Sequence, residues 1–321
     1  MLLYHLISIT LALIIDRMIG DPPSWPHPVR WIGSFIAWLE YRLNIGGQRK
    51  AKGGMLLIAV MLTVFSVTSL LVWAAYHIHS IAGVAVESAI IATTIAQHDL
   101  KKAAMNVYHP LKDGDITAAR LQVSMIVGRD THKLKESGVT RATVETVAEN
   151  ISDGITAPLF WALFGGTPLA MVYRAVNTCD SMVGYNNERY HDFGWASARF
   201  DDMVNWLPSR ITGVCMIAVC SSSFLTKRQA LHMLKTEAAK HPSPNSGWGE
   251  AAVALLLGVQ LGGTNYYQGI KSERAVMGLP QKDLQKGHIQ GAITIMERSV
   301  GLFLILLWIG GGCYAIASTW L

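Results

Sequence analysis

Charge is what this sequence has least of. Only 15% of its 321 residues are Asp, Glu, Lys or Arg, while 51% are apolar; a soluble domain carries about 25% charged residues. The mean hydropathy of +0.30 agrees with that imbalance. Cysteine is scarce as well. Cys179, Cys215, Cys220 and Cys313 form no C-x-x-C pair, so neither a disulfide framework nor a zinc site is indicated, and they read as small packing residues. The opening MLLYHLISITLALIID lacks a basic n-region and an A-x-A cleavage site, and is read as a retained anchor. The chain has no G-x-x-x-x-G-K-[ST], so any nucleotide is held without a P-loop. It has no G-x-S-x-G, no H-E-x-x-H and no D-x-x-D-G-x-x-A-R, the run of intramembrane alcohol phosphotransferases. Internal repeats and low-complexity tracts are also missing, which weighs against a transporter built on inverted repeats.

What the chain does have is apolar runs, at 1–15, 55–76, 80–96, 155–173, 211–225, 251–263 and 299–317. The stretch from Met55 to Tyr76 carries no charge over 22 residues, enough to cross a hydrocarbon core of about 30 Å at about 1.5 Å per residue. Ser299–Trp320 is equally clean. The expected fold is all-α: a polytopic integral membrane helical bundle with four to six true spans, in one catalytic domain over 1–321. The run 155–173 breaks at Gly165-Gly166-Thr167-Pro168 and suits a re-entrant pair of half-helices, which needs protein or water around its open backbone.

All 27 Lys and Arg residues fall in five segments, 16–54, 97–154, 174–210, 226–250 and 264–298. The positive-inside rule places such segments on the cytoplasmic side. With an uncharged turn at 77–79, residues 55–96 read as a hairpin returning the chain to that side. Residues 97–150 read as a cytoplasmic insertion of amphipathic helices turning at Asp113-Gly114-Asp115. The Pro-rich segment 16–33 reads as a stiff loop carrying His27 and Arg30. HPSPNSGWGE at 241–250 reads as another loop, followed by an apolar helix ending at Gly262-Gly263 and a polar helical segment at 271–298.

Polar residues concentrate in ETVAENISDGITAPLFWALFGGTPLAMVYRAVNTCDSMVGYNNERYHDFGWASARFDDMVN, residues 145–205. An ionised residue in hydrocarbon costs at least about 2.5–3.5 kcal/mol, so such density marks a candidate site. Glu145, Glu149 and Asp153 at i, i+4, i+8 line one helix face. Like charges so spaced repel, and a divalent cation such as Mg²⁺, which favours carboxylate oxygens with substrate phosphates, reverses the sign. A solvated acidic face is the plainer reading of that cluster alone. Asn177 and Asp180, then Asp201, Asp202 and Asn205, repeat the acid–amide grouping. Their recurrence around one broken segment favours a metal–phosphate site over isolated caps. Arg129, Arg174 and Arg199 can grip phosphate or carboxylate bidentately, and Arg30 and His27 are held by prolines. An anchoring role for the arginines that flank apolar runs, Arg174 among them, stays open.

These strings resemble the adenosylcobinamide-phosphate synthase family, the CbiB/CobD proteins of cobalamin biosynthesis. The resemblance rests on DRMIGDP at 16–22, HPVRWIG at 27–33, GRDT at 128–131, ETVAENISDG at 145–154, YRAVNTCDSMVGY at 173–185, WASARFDD at 195–202 and SPNSGW at 243–248. Gly249 stands where many relatives would carry proline, a departure placed in a loop. The resemblance implies an enzyme of the bacterial inner membrane with its active site facing the cytoplasm. It implies an ATP-dependent, Mg²⁺-dependent ligase that joins the corrinoid adenosylcobyric acid to an amino-alcohol phosphate. Its partners would be the corrinoid, the amino-alcohol phosphate, the nucleotide, the lipid bilayer and other late-pathway membrane enzymes, with no nucleic acid. Under it, Mg²⁺ falls to Glu145, Glu149, Asp153, Asp201 and Asp202, with Asp180 a further candidate. Anion recognition falls to Arg30, Arg129, Arg174 and Arg199, with Asn150, Asn177 and Asn205 orienting these groups. His27 or an acid would take the amine's proton. An Mg²⁺-dependent intramembrane prenyl- or phosphotransferase is the alternative, for which ENISD at 149–153 is a partial motif.

Overall fold

Helix α1 (Leu2–Ile19) stops where Gly20 turns to φ 63°, and α2 (Pro28–Leu43) starts on a proline. Proline suits the first helical position, because its φ is already helical and its missing N–H would be unpaired there anyway. The loop expected over 16–33 therefore shrinks to the residues between these helices, with Arg30 inside the first turn of α2 and His27 as its N-cap. The computed structural model describes residues 1–22 and 25–317. The last apolar run, expected to reach Trp320, is helical to Ala317; its far end lies outside the described residues.

The chain separates into two compact units: Met1–His98 with Asp153–Asn205 and Leu306–Leu321, and Asp99–Ser152 with Trp206–Ile305. Five helical stretches among the described residues are long and apolar enough to cross a membrane: Leu2–Ile19, Arg49–Ile78, Ser80–Asp113, Glu136–Val183 and Gly287–Tyr314. The molecule is thus a polytopic helical membrane protein, with one small sheet.

In the first unit, α3 (Arg49–Ile78) and α4 (Ser80–Ala92) form the expected hairpin, turned at His79, whose Nδ1 accepts the Ile81 N–H at 3.1 Å. One flank of α3 buries Leu56, Val60 and Val64 in a core shared with Ile36 of α2, with Ala175, Val176 and Cys179 of α8 (Ala157–Val183), and with Phe193. Its outer flank exposes Ile58, Leu62, Phe65 and Leu70, which suits lipid. With Lys50 and Lys52 in the first turn of α3 and Lys101 and Lys102 beyond α4, both basic ends are expected on the cytoplasmic side. Cysteines engineered at Lys52 and Lys102 should resist a membrane-impermeant thiol reagent in intact cells and react after lysis. Reaction of either in intact cells would overturn that topology.

The expected break in α8 is present. Gly165 (φ −147°, ψ 26°) and Gly166 (φ 57°, ψ −149°) leave the helical region, and the helix resumes at Thr167-Pro168. The restart is capped by the fully buried Glu87 of α4. Its Oε1 accepts the Thr167 N–H at 3.1 Å and lies 2.9 Å from His5 Nδ1. Its Oε2 accepts Tyr76 Oη at 2.7 Å and Ser8 Oγ at 3.1 Å. Position 166 admits only glycine, both for its positive φ and because a Cβ would lie 2.0 Å from Glu87 Oε1. A buried acid is tolerable because each oxygen is hydrogen-bonded.

The second unit holds most of the 97–150 segment as α5 (Gln97–Asp113), α6 (Ile116–Ser124) and α7 (Glu136–Ile151). The expected turn is there: Gly114 takes φ 81°, and Asp115 caps α6 by accepting the Ala118 N–H at 2.9 Å. At its centre is α12 (Ser246–Leu257), buried along nearly its whole length against α7, α10 (Trp206–Val219) and α11 (Lys227–Ala238). Gly249 belongs to this helix and not to a loop; a Cβ there would lie 2.3 Å from Ala148 O, so the glycine permits the close approach of α7.

Two further expectations are corrected here. α12 ends at Leu257, with Gly258 at φ 70°, so Gly262-Gly263 lie beyond it. Residues 271–278 are strand, not helix: β1 (Gln260–Tyr267) and β2 (Ile270–Gly278) pair antiparallel. Gln268 (φ 51°) and Gly269 (φ 79°) make the tight turn, the double positive φ that a two-residue hairpin loop requires. Cross-strand pairing outcompetes helix here because Thr264, Tyr266 and Tyr267 are good strand formers. Polar character returns to a helix only in α13 (Gly287–Ala317). The remaining helix, α9 (Trp195–Val204), belongs to the first unit.

Candidate active site

In the first unit, α8 after its break and α9 bring polar groups together. Arg174 Nη1 lies 3.5 Å from Asn177 Oδ1, and Asn177 Nδ2 donates to Asp201 Oδ1 at 3.4 Å. Asn205 Nδ2 donates to Asp153 Oδ1. Tyr173, buried at 2% exposure, lies within electrostatic reach of Asp153, Asp201 and Asp180. Arg174 lies within reach of Asp153 and Asp21, and Asp21 Oδ1 is 3.0 Å from His27 Nε2. Four buried polar atoms here, His27 Nε2, Tyr173 Oη, Arg174 Nε and Ser197 Oγ, have no hydrogen-bond partner among the described residues; the approach of His27 to Asp21 is a charge contact without hydrogen-bond geometry. Such groups are uncommon in a folded interior and mark places where a ligand or solvent completes the bonding. Asp202 is half-buried, and burial pushes its carboxyl above the usual aspartate value against the opposing pull of Arg199.

The second unit gathers a different set around α7 and the hairpin. Arg129 Nη2 donates to Glu145 Oε2, and Arg129 Nη1 to Asn265 Oδ1 at 2.7 Å. Arg141, one turn before Glu145, donates to Gly262 O, to Thr264 O at 2.7 Å and to Asn265 Oδ1 at 2.8 Å. Glu145 Oε1 accepts the Gly262 N–H at 2.8 Å. Glu149 Oε1 accepts Ser246 Oγ at 2.8 Å. His241 Nε2 is 3.3 Å from Glu250 Oε1, both buried.

Of the residues expected from sequence, Asp153, Arg174, Asn177, Asp180, Asp201 and Asn205 converge in the first unit, with His27 tied to Asp21. Arg129 and Glu145 pair in the second unit, where Glu149 meets Ser246. Three others make different contacts. Arg30 is exposed and donates to Trp25 O at 2.8 Å. Arg199 is exposed. Asn150 donates to Thr146 O of its own helix at 2.9 Å. The acidic ladder is not one regular α-helical face: Asp153 falls in a π-helical turn, Ser152–Thr156, whose wider pitch rotates it away from the i, i+4, i+8 line. Among the described residues no group of three or more His, Cys, Asp or Glu side chains gathers as a metal cage. Tyr173, Asp21, Arg141, His241, Glu250 and Asn265 escaped the sequence reading. Arg141–Glu145 carried an i, i+4 signal, Glu250 was an acid opening an apolar helix, and Asp21 and Tyr173 sat inside motif strings without an assigned role; nothing singled out His241 or Asn265.

The His241–Glu250 pair sets a pH dependence. Burial works against the imidazolium, but the hydrogen bond and charge of Glu250 outweigh it, and His241 titrates above its ordinary value. Glu250 is itself held above the ordinary carboxylate value by burial, so both members of the pair bind protons more readily in the folded protein, and stability falls as pH rises from the ordinary glutamate range through the raised His241 value. The melting temperature of the wild type should fall across that window, and His241→Gln should flatten the fall. An identical slope in both proteins would rule the pair out as its origin.

The chain matches the family model described as CobD/Cbib protein over residues 9–296. It is 54% identical over 322 residues to the cobalamin biosynthesis protein CobD of Halalkalibacterium halodurans, an alignment covering 98% of this chain and 100% of that one. It is 42% identical over 289 residues to the cobalamin biosynthesis protein CobD of Pelobacter propionicus, covering 90% of each. With the cobalamin biosynthesis protein CbiB of Salmonella typhimurium it shares 41% identity over 301 residues, covering 92% of this chain and 94% of that one. No solved structure matches it significantly.

Proposed function

The chain belongs to the CobD/CbiB family, and from that membership we propose that it is a cobalamin-pathway ligase that uses ATP to join adenosylcobyric acid to (R)-1-aminopropan-2-ol O-phosphate or a related amino-alcohol. The observation that carries this reading is the buried set in the first unit. Tyr173 Oη and Arg174 Nε lack partners among the described residues and lie within reach of Asp153, Asp201 and Asp21. Partly dehydrated charges of both signs with unused donors fit a phosphorylated carboxylate better than they fit a packed core.

Amide formation from a carboxylate is uphill in water. Transfer of the ATP γ-phosphoryl to the corrin carboxylate gives an acyl phosphate and ADP. The amine then attacks the acyl carbon, phosphate leaves, and the nitrogen gives up a proton. Arg174, with Asn177 fixing its fork, neutralises charge on the transferred group. Asn205 and Asn177 orient Asp153 and Asp201. His27, beside Asp21, is the candidate to accept the amine's proton. The donor set fits Mg²⁺ arriving with the nucleotide, which binds through one or two carboxylates plus substrate phosphates and needs no protein cage. Asp153 and Asp201 would hold it, and when bound it offsets phosphate charge. In this reading the site faces the cytoplasm of a bacterial inner membrane, where ATP is available.

The test is a reconstituted assay of the full-length protein in lipid nanodiscs with ATP, Mg²⁺, adenosylcobyric acid and the amino-alcohol phosphate. Mass spectrometry should find the amide and stoichiometric ADP, without any transmembrane gradient. Absence of amide from a folded protein that binds these substrates would overturn the reading.

A further inference from the structure

We propose that the β1–β2 hairpin of the second unit carries a phosphoryl-binding subsite made by Arg141, Arg274 and Asn265. This rests on the ligase reading for the identity of its ligand, and on the hairpin alone for its existence.

Register places these groups together. Gly263 pairs directly with Arg274, and Asn265 with Ser272. Directly paired residues, and residues two apart on one strand, share a face of the sheet. Asn265 and Arg274 therefore flank the bare Gly263 on one face. Arg141 lies over that glycine, since a Cβ on Gly263 would sit 3.0 Å from Arg141 Nη1. Arg274 approaches His241 Nε2 at 3.5 Å and donates to Tyr267 Oη at 3.3 Å. Neither is an acid, and no ion pair joins Arg274 to a carboxylate among the described residues.

The unmatched groups on this face are all donors. Arg129 and Arg141 both donate to Asn265 Oδ1, which settles the orientation of that amide and points to its other end as the free one. Asn265 is 3% exposed, yet its Nδ2 has no hydrogen-bond partner among the described residues; Arg141 Nε makes no hydrogen bond either, its nearest acid being Glu145 Oε1 at 3.8 Å. The neighbouring carboxylates are already engaged: Glu145 by Arg129 and the Gly262 N–H, Glu250 by His241, Glu149 by Ser246. An orphaned amide N–H and an Arg141 Nε with only a loose ion pair, beside the guanidinium of Arg274, call for a compact ligand with several acceptor oxygens and a negative charge. A phosphoryl group has that chemistry. Arg274 is half-exposed, so the subsite is reachable.

Two phosphoryl groups enter the proposed reaction, those of the nucleotide and of the amino-alcohol phosphate, and the experiment separates them. Full-length protein in nanodiscs is titrated calorimetrically with a hydrolysis-resistant ATP analogue plus Mg²⁺, with 1-aminopropan-2-ol O-phosphate, and with unphosphorylated 1-aminopropan-2-ol. Arg274→Gln and Asn265→Ala should each weaken one phosphorylated ligand, Arg274→Gln by about 10–100-fold, the worth of a charged hydrogen bond. Binding of the other ligands should hold in both variants, and the melting temperature should hold in Arg274→Gln; Asn265→Ala also removes the acceptor of Arg129 and Arg141, so it is read by its selectivity among the three ligands. Arg274→Lys should recover only part of the loss; being the milder change, it carries the test if the glutamine variant does not fold. Wild-type affinity of the variants for both phosphorylated ligands, equal weakening of the unphosphorylated amine, or no phosphorylated ligand bound by the wild type would each overturn the proposal. The amide assay runs in parallel. Amide formed with an unaltered KM in Arg274→Gln sinks the subsite alone, whereas phosphoryl binding lost in Arg274→Gln with no amide from the wild type sinks the ligase reading alone.

Discussion

Replacing Glu145 by alanine should destabilise the protein by about 3–5 kcal/mol, the cost of leaving buried charge without its partner. The side chain of Arg129 is 7% exposed and that of Glu145 5%, so water cannot easily take the carboxylate's place. Arg141 shares the same acid at 3.8 Å, and the Gly262 N–H loses its acceptor. The loss should appear as a large fall in melting temperature and in yield of folded protein. Glu145→Gln keeps an acceptor for the Gly262 N–H and should fall between alanine and wild type. A double replacement, Arg129→Met with Glu145→Met, should be less harmful than Glu145→Ala alone, because it removes charge from both sides. If Glu145→Ala melted like the wild type, the ion pair would contribute nothing to the fold.

On the proposed ligase reading, Asp153→Asn should lower amide formation by about a hundredfold or more, the usual scale for losing one electrostatic group aimed at a reacting centre. Shape is nearly conserved: an amide at 153 can still offer its oxygen to Asn205 Nδ2, which now bonds Asp153 Oδ1. Membrane insertion and melting temperature should therefore hold while kcat falls and the Mg²⁺ requirement rises. Normal turnover and Mg²⁺ dependence in Asp153→Asn would remove Asp153 from the chemistry.

The membrane architecture was legible because it is written in local terms. Uncharged length announces a span, the 77–79 turn announces a hairpin, and Gly165-Gly166 before Thr167-Pro168 announces a break. Proline was over-read at 16–33: it forbids a helix interior but favours a helix start, so α2 begins on Pro28. The hairpin was missed although Thr264-Asn265-Tyr266-Tyr267 followed by Gln268-Gly269 is a fair strand–turn signal, masked by Lys271, Glu273 and Arg274 of β2. Acid and amide clusters were visible in the candidate site, but their partners were not. Asn265 reaches Arg129 across 136 positions, and no spacing rule spans that distance. The π-helical turn at Ser152–Thr156 shifted Asp153 off a face that α-periodicity placed it on.

The order in which the chain is synthesised bears on the acid that caps the broken helix. His5, Ser8 and Tyr76 all precede Glu87 in sequence, whereas Thr167 follows it by 80 positions. A nascent chain can thus surround the carboxylate with three side-chain partners before the segment containing the break leaves the ribosome. When Gly166 and Thr167 arrive, the acceptor for the restarted helix already stands in place. An interrupted helix can then enter the bilayer without a period in which either its open amide or the acid waits alone in lipid.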